Sequence, residues 1–264
     1  MREPTLARYL ALTRRHWDAD LIVWPESALP GVRDQFDGYV GRLAREARQN
    51  NSFVVFGVPV LDRDTLDFFN SVFVVGGREM VYHKRHLVPF GEYLPLDALI
   101  RPVTEFFGLP VADFSLGPDR PPLLEAAGHR FGISVCYEIA FGNEIVEALP
   151  EAALLVTVSN DAWFGTRIGP HQHLQIARAR ALETGRYLLR ATNTGITAIV
   201  APDGVIEGRV AQFQVQVLEG EIFPMGGMTP YARTGDVAVI ALALLVLIGG
   251  IVLSRRQSVS DDSD

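Results

Sequence analysis

Residues 130–138 of this chain read RFGISVCYE, an apolar run that ends at a cysteine and is followed at once by a tyrosine and a glutamate. Such a run predicts a buried strand. Cys136, the only cysteine in the chain, would then lie at the carboxyl end of that strand, two residues before Glu138. A thiol in this position can serve as a nucleophile, because it is the thiolate that attacks and a neighbouring group can take the proton. The alternative is an inert buried cysteine, which is a common fate of free thiols.

Two other segments also place a chemically active side chain just after a predicted strand. Glu26 follows the apolar run 21–23 in the sequence WPES, and Lys84 follows the predicted strand 79–83 in the sequence HKRH. Acyl transfer through a thiol needs a base, a donor for the oxyanion and a proton for the leaving group. Glutamate and lysine can supply these functions. Taken by themselves, both residues are equally compatible with a solvated surface, so the residue types alone leave the site open.

The composition limits the class of protein. The chain has 264 residues with 48% apolar content, enough for one sizeable globular core. A formal net charge of -7 argues against a nucleic-acid partner. One cysteine excludes an intramolecular disulfide and a cysteine zinc site. His171 and His173 do not share a helical face and have no evident third ligand, so we interpret them as structural and expect no metal.

Helical and strand patterns alternate along the first 210 residues, with hairpin signals at Gly76-Gly77 and at 202–204. This order predicts a layered α/β or α+β domain with mixed sheets. We assign residues 1–230 to one catalytic domain. The proline-rich stretch 89–122 predicts long loops, and we expect its Phe106-Phe107 pair to dip into a membrane or to cover the site.

The stretch 237–253, VAVIALALLVLIGGIVL, contains no charged residue and predicts one C-terminal transmembrane helix. A buried core helix is the alternative. Arg255 and Arg256 follow within the polar tail 254–264. Because basic residues that flank a span tend to stay in the cytoplasm, we expect a cytoplasmic tail and a catalytic domain on the exported face.

Five segments of the chain together resemble the carbon–nitrogen hydrolase, or nitrilase, superfamily, and within it the apolipoprotein N-acyltransferase family. The segments are LIVWPESALPG (21–31), YHKRHLVPFGEYLP (82–95), ISVCYEIAF (133–141), the stretch 158–204 with SNDAWFG and RATNTGITA, and the apolar C-terminal stretch. Three separated catalytic motifs occur in the family's order, and the resemblance covers most of residues 5–253.

The resemblance implies roles for six residues. It makes Glu26 the general base, Lys84 the lysine of the oxyanion site and Cys136 the nucleophile. It also implies supporting roles for the residues Glu92, Tyr137 and Glu138. Trp163 would either pack in the core or line an acyl channel.

The family's fold is an αββα sandwich on the periplasmic side of the bacterial inner membrane. The resemblance implies that Cys136 takes an acyl chain from a phospholipid and passes it to the amine of a diacylglyceryl-modified apolipoprotein. No cofactor is implied, and we expect a monomer. Family members also carry an N-terminal bundle of transmembrane helices and a first strand upstream of the predicted helix 6–17. Neither is found in this sequence, so we expect a fragment. Two alternatives remain, an amidase that hydrolyses small amides and an inactive truncated fragment.

Overall fold

The fold is known from a computed structural model that describes residues 2–97, 101–102 and 113–261, with side chains for 3–97, 101–102 and 113–251. The Phe106-Phe107 pair, for which we expect a membrane-dipping or covering role, lies outside the described residues.

The first sheet has four strands in the order β1-β2-β3-β4. They are β1 (Leu21–Val23), β2 (Phe53–Leu61), β3 (Phe68–Val75) and β4 (Met80–His83). β1 runs parallel to β2, whereas β2, β3 and β4 are antiparallel to one another. The valines and phenylalanines that dominate β2 and β3 favour this pleated, buried environment.

The second sheet has six strands in the order β10-β9-β8-β7-β6-β5. The three central strands β6, β7 and β8 are parallel, and the flanking pairs are antiparallel. The strands are β5 (Leu124–Ala126), β6 (His129–Val135), β7 (Leu154–Ser159), β8 (Leu188–Thr192), β9 (Thr197–Val200) and β10 (Ile206–Val210).

Six α-helices and three 3₁₀ helices accompany the sheets in the described part of the chain. The α-helices are α1 (Arg2–Thr13), α2 (Asp37–Gln49), α3 (Gly142–Val146), α4 (Gly169–Thr184), α5 (Pro230–Thr234) and α6 (Val237–Asp261). The 3₁₀ helices span Arg33–Phe36, Cys136–Ala140 and Asp161–Phe164.

Alternating strand residues join these elements into four layers. On β2, Val54 and Phe56 pack with the buried side chains of α1 and α2, whereas Val55 faces the second sheet. On β7, Val156 faces the first sheet and Leu155 packs with α4. Burying each such side chain contributes about 1.5–3 kcal/mol. The order is therefore helices, sheet, sheet, helices, which confirms the predicted nitrilase-like α/β sandwich with mixed sheets.

Two local predictions are corrected by the structure. The Gly76-Gly77 hairpin is not a two-residue turn, because β4 begins only at Met80 and residues 76–79 form the connection. The short strand β5 was not predicted. It pairs with β6 through the turn at Ala127 and Gly128, whose φ angles are 51° and 76°.

α6 covers the stretch for which the sequence predicts a transmembrane helix. Over the residues that the structure describes, no helix has the length and apolar character needed to cross a membrane, so the predicted span 237–253 is not confirmed. Most large apolar side chains from Val237 to Ile251 are exposed.

Candidate active site

The three candidate catalytic residues follow strands at one edge of the sandwich. Glu26 comes three residues after β1, Lys84 directly after β4, and Cys136 directly after β6. β1 and β2 in one sheet, and β6, β7 and β8 in the other, are parallel, so their carboxyl ends meet at common edges. The charges of Glu26 and Lys84 both act on the pKa of Cys136, which places the three groups in one electrostatic neighbourhood.

Glu26 is buried, with 6% of its surface exposed. Its Oε1 accepts a hydrogen bond from Asn70 Nδ2 at 2.7 Å, and its Oε2 accepts one from the backbone N–H of Asn160 at 2.7 Å. Gly57 on β2 permits this placement, because a Cβ there would lie 2.7 Å from the Cα of Glu26. Burial raises the pKa of Glu26, although Lys84 and Asn70 oppose the shift. A carboxylate with a raised pKa is suited to proton transfer near neutral pH.

Lys84 is 1% exposed, and its ammonium group is held by Glu92. The Nζ donates to Glu92 Oε1 at 2.9 Å and lies 2.8 Å from Oε2. Burial acts to lower the pKa of Lys84, but the negative charges of Glu26 and Glu92 outweigh it, so the pKa is raised. The lysine is therefore a fixed positive charge, which is what an oxyanion requires.

Glu92 and Glu26 are linked by an asparagine that sequence reasoning missed. Asn70 Nδ2 donates to Glu26 Oε1 and, at 3.1 Å, to Glu92 Oε1. Glu92 Oε2 also accepts from the backbone N–H of Val88 at 2.8 Å. Asn70 stands in the largely apolar strand β3, where only Ser71 is also polar. A polar side chain among valines and phenylalanines was the signal that could have identified it.

Cys136 begins the 3₁₀ helix Cys136–Ala140 with a φ of 52°, instead of ending the strand as predicted. The left-handed conformation costs a residue other than glycine about 1–2 kcal/mol, and it turns the chain sharply after β6. Burial, followed by the charge of Glu26, raises the pKa of the thiol to about 11, while the Lys84 ammonium and the Ser159 hydroxyl oppose the shift. The thiol is therefore protonated at neutral pH and needs a base before it can attack.

Glu138 connects the turn after β6 with the segment that carries Lys84. Its two carboxylate oxygens accept hydrogen bonds from the Tyr82 hydroxyl at 2.9 Å, from the Arg85 N–H at 2.7 Å and from the Val135 N–H at 2.7 Å. The residue is 2% exposed. Its carboxylate thus holds the cysteine turn and the lysine segment together, which is a structural role beside the site.

Replacement of this carboxylate by an amide is expected to destabilise the fold. In Glu138→Gln, the new NH₂ group faces N–H or O–H donors, and a buried unsatisfied polar group costs about 1–3 kcal/mol. Chemical denaturation measures the change in the free energy of unfolding. Glu147→Gln is the matched control, because Glu147 pairs with Arg85 but is 54% exposed, and a change there should stay below about 1 kcal/mol. Equal losses in the two variants would contradict the connecting role of Glu138.

Tyr137 and Trp163 present apolar surface beside these residues. Tyr137 is 38% exposed, and its ring packs edge-on against His86 and Phe141 at centroid distances of 5.6 and 5.0 Å. Trp163 is 86% exposed, so it does not pack in the core, and the core alternative for this residue is excluded. Phe164 and Ile168 in the same segment are also exposed.

Asn193 is a further site residue that sequence reasoning did not single out, although it stands in the quoted motif RATNTGITA. Its Nδ2 donates to the backbone carbonyl of Glu26 at 2.6 Å, and its Oδ1 accepts from the Tyr9 hydroxyl at 3.0 Å. Since Tyr9 also stacks on Trp24 at 4.9 Å, helix α1 is connected to the loop that positions Glu26.

A buried cluster of charged groups lies next to the thiol. The possible ligand atoms of Cys136, Asp161 and His173 all lie within 4.8 Å of one another. Both ring nitrogens of His173 already have partners, Asp161 Oδ1 at 3.0 Å and the Cys136 carbonyl oxygen at 3.0 Å. Arg190 Nη2 donates to Asp161 Oδ2 at 2.7 Å. The arrangement fits a buried ion-pair cluster better than a cation site. His171, by contrast, is exposed.

A family model described as carbon-nitrogen hydrolase matches residues 3–227. Two curated relatives are named apolipoprotein N-acyltransferase. The one from Methylococcus capsulatus is 45% identical over 254 residues, which are 96% of this chain and 50% of the relative. The one from Pseudomonas aeruginosa is 43% identical over 247 residues, which are 92% of this chain and 48% of the relative. The chain thus spans about half the length of the curated relatives it matches.

Among solved structures, the chain is similar to Saccharomyces cerevisiae Nit3, described as a member of branch 10 of the nitrilase superfamily. The TM-score is 0.60 at 20% sequence identity, and the match covers 80% of this chain and 81% of the other. This likeness supports the fold.

Proposed function

This chain belongs to the carbon–nitrogen hydrolase family, and we propose that it carries the catalytic centre of an apolipoprotein N-acyltransferase. The acyl donor would be a membrane phospholipid, and the acceptor would be the N-terminal amine of a diacylglyceryl-modified apolipoprotein. The observation that carries the proposal is the convergence of Glu26, Lys84 and Cys136 at the strand ends, in a chain 42–45% identical to relatives of that name.

The geometry is suited to the first half of such a reaction. As Cys136 Sγ attacks the ester carbonyl of the donor, Glu26 accepts the thiol proton. The negative charge that develops on the carbonyl oxygen is stabilised by the Lys84 ammonium group, which Glu92 holds in place. The ester C–O bond then breaks, and Glu26 returns the proton to the lysophospholipid that leaves. A thioester on Cys136 remains.

The second half uses the same groups in the reverse direction. The amine of the acceptor attacks the thioester carbonyl, and Glu26 takes a proton from the amine nitrogen. The C–S bond breaks, the amide forms, and the proton returns to sulfur. Every proton that leaves a substrate or the thiol therefore passes through Glu26, whose pKa is raised by burial.

Exposed apolar side chains support a lipid substrate. Trp163, Phe164 and Ile168 lie in the segment that follows β7, at the same sheet edge as Cys136, and are exposed to solvent. Exposed apolar patches of this kind are typical of membrane or ligand contact. α6 also exposes apolar side chains over 237–251. We place the protein, as a monomer, at the bacterial inner membrane, with the catalytic domain on the periplasmic side and the C-terminus in the cytoplasm.

Product analysis by mass spectrometry tests the assignment. The purified protein in detergent is incubated with a phospholipid and a synthetic diacylglyceryl lipopeptide that has a free amino terminus. We expect the lipopeptide to gain one acyl chain and an equal amount of lysophospholipid to appear. Release of ammonia from small primary amides, without acylation of the lipopeptide, would instead identify an amidase. A folded protein that does neither would identify an inactive fragment.

A further inference from the structure

The backbone at Cys136 requires support. Its φ of 52° lies in the left-handed region, which is unfavourable for a residue with a side chain, so the surrounding contacts must hold it there. His173 on α4 supplies one such contact, since its Nε2 lies 3.0 Å from the Cys136 carbonyl oxygen. The carbonyl can only accept, so Nε2 carries a proton and donates it.

The other ring nitrogen of His173 also faces an acceptor. Nδ1 lies 3.0 Å from Asp161 Oδ1. Burial acts to raise the pKa of Asp161, but the hydrogen bond from His173 and the charge of Arg190 outweigh it and hold the pKa at about 2. The carboxylate is therefore ionised and accepts only, so Nδ1 must also carry a proton. Both ring nitrogens of His173 therefore face groups that can only accept a hydrogen bond.

Asp161 is fixed from three sides. Ser159 Oγ donates to Oδ1 at 2.7 Å and Arg190 Nη2 donates to Oδ2 at 2.7 Å, in addition to His173. The four residues are all buried. One carboxylate and two cations give the cluster a net charge of about +1. The possible ligand atoms of His173 and Asp161 both lie within 4.8 Å of the Cys136 sulfur. The negative charge of Asp161 acts to raise the pKa of the thiol, and a positive charge on the His173 ring at a similar distance acts against it.

We propose that His173, charged and paired with Asp161, is a positioning residue that holds the Cys136 turn and stabilises the thiolate. The part that His173 would take in a catalytic cycle rests on the proposed function. Its effect on the reactivity of the Cys136 thiol does not, because that effect is present whether or not a lipid is bound. Asp161 accepts a hydrogen bond from the His173 ring and is itself held by Arg190. The Phe164 ring packs edge-on against the His173 ring, with a centroid distance of 6.5 Å.

The reactivity of the thiol tests the proposal without any lipid. Cys136 is the only cysteine, so alkylation of the purified protein by iodoacetamide, followed by intact mass across a pH series, reports on this sulfur alone. In His173→Gln the cluster loses one positive charge. The pKa of Cys136 should rise, and the alkylation rate near neutral pH should fall by about tenfold, the change that one pKa unit produces.

His171→Gln is the matched control, two residues away and exposed, and its alkylation profile should stay within about twofold of the unchanged protein. A folded His173→Gln variant with the same alkylation profile as the unchanged protein would overturn the proposal.

If that variant does not fold, nitrogen NMR of the histidine-labelled, unchanged protein tests the proposal instead. We expect both ring nitrogens of His173, the imidazole that packs against Phe164, to carry protons in the folded protein. A ring nitrogen of His173 without a proton would also overturn the proposal. The alkylation profile and the NMR measurement do not depend on lipid transfer. A negative result in the product assay would therefore contradict the proposed function without contradicting the proposed role of His173.

Discussion

Cys136→Ala is expected to abolish acyl transfer to the lipopeptide, with a loss of at least about 10⁴-fold. The reason is that no other thiol exists in the chain, and none of the neighbouring groups can form the thioester in its place. The lysine and the glutamates would still bind and polarise a donor ester, but without sulfur the acyl group has no covalent acceptor. The measurement is the rate of acylation of the lipopeptide, followed by mass spectrometry.

Cys136→Ser is the companion variant, because it keeps nearly the same volume in the turn. Its hydroxyl is a far weaker nucleophile at neutral pH than a thiol with a base beside it, so it should be inactive while its thermal unfolding matches that of the unchanged protein. Residual transfer of more than a few per cent in a folded Cys136→Ala variant would show that the acyl chain reaches the amine without Cys136.

Glu26→Gln is expected to change the two properties of the thiol in opposite directions. Acyl transfer should fall by about 10²–10⁴-fold, because the amide cannot take the proton from sulfur. Alkylation of Cys136 by iodoacetamide should become faster. The negative charge of Glu26 helps to hold the pKa of Cys136 at about 11, so its removal lowers that pKa and increases the thiolate fraction below pH 11.

Slower acyl transfer combined with faster alkylation is what we expect if Glu26 is the base, and not if it only supports the structure of the site. Misfolding would also expose Cys136 and speed its alkylation, because burial is the largest cause of its raised pKa. The comparison is therefore made on a Glu26→Gln variant whose thermal unfolding matches that of the unchanged protein. Glu125→Gln is the control, since Glu125 is exposed on β5, away from the thiol. It should change neither rate by more than about twofold. If Glu26→Gln kept a normal rate of acyl transfer, another group would have to accept the proton.

The sandwich could be predicted from the sequence because its strands carry strong local signals. β2, β3 and β7 are rich in β-branched and aromatic residues. The candidate residues Glu26 and Lys84 follow strands as predicted, whereas Cys136 was predicted to end its strand and instead begins a 3₁₀ helix. β5 was missed because three residues next to a proline-rich stretch give no periodicity. The conformation of Cys136 was also missed, because a left-handed residue after a strand depends on tertiary contacts such as that of His173.

The hydrogen-bond partners of the supporting residues could not be predicted from the sequence. Asn70, Asn193 and Asp161 act through hydrogen bonds to groups far away in the chain. No spacing rule connects such partners, since they meet only when strands from both sheets reach the same edge. The family resemblance implied a supporting role for Glu138, but its partners Tyr82 and Arg85 became evident only from the structure.

Intact mass spectrometry of the protein after incubation with phospholipid alone tests the central claim most directly. With no amine acceptor present, the account predicts a mass increase of one fatty acyl chain, located by proteolysis to the peptide that contains Cys136. The adduct should disappear when the lipopeptide is added. Acylation of the lipopeptide without any adduct on that peptide, or an adduct on another residue, would contradict the account.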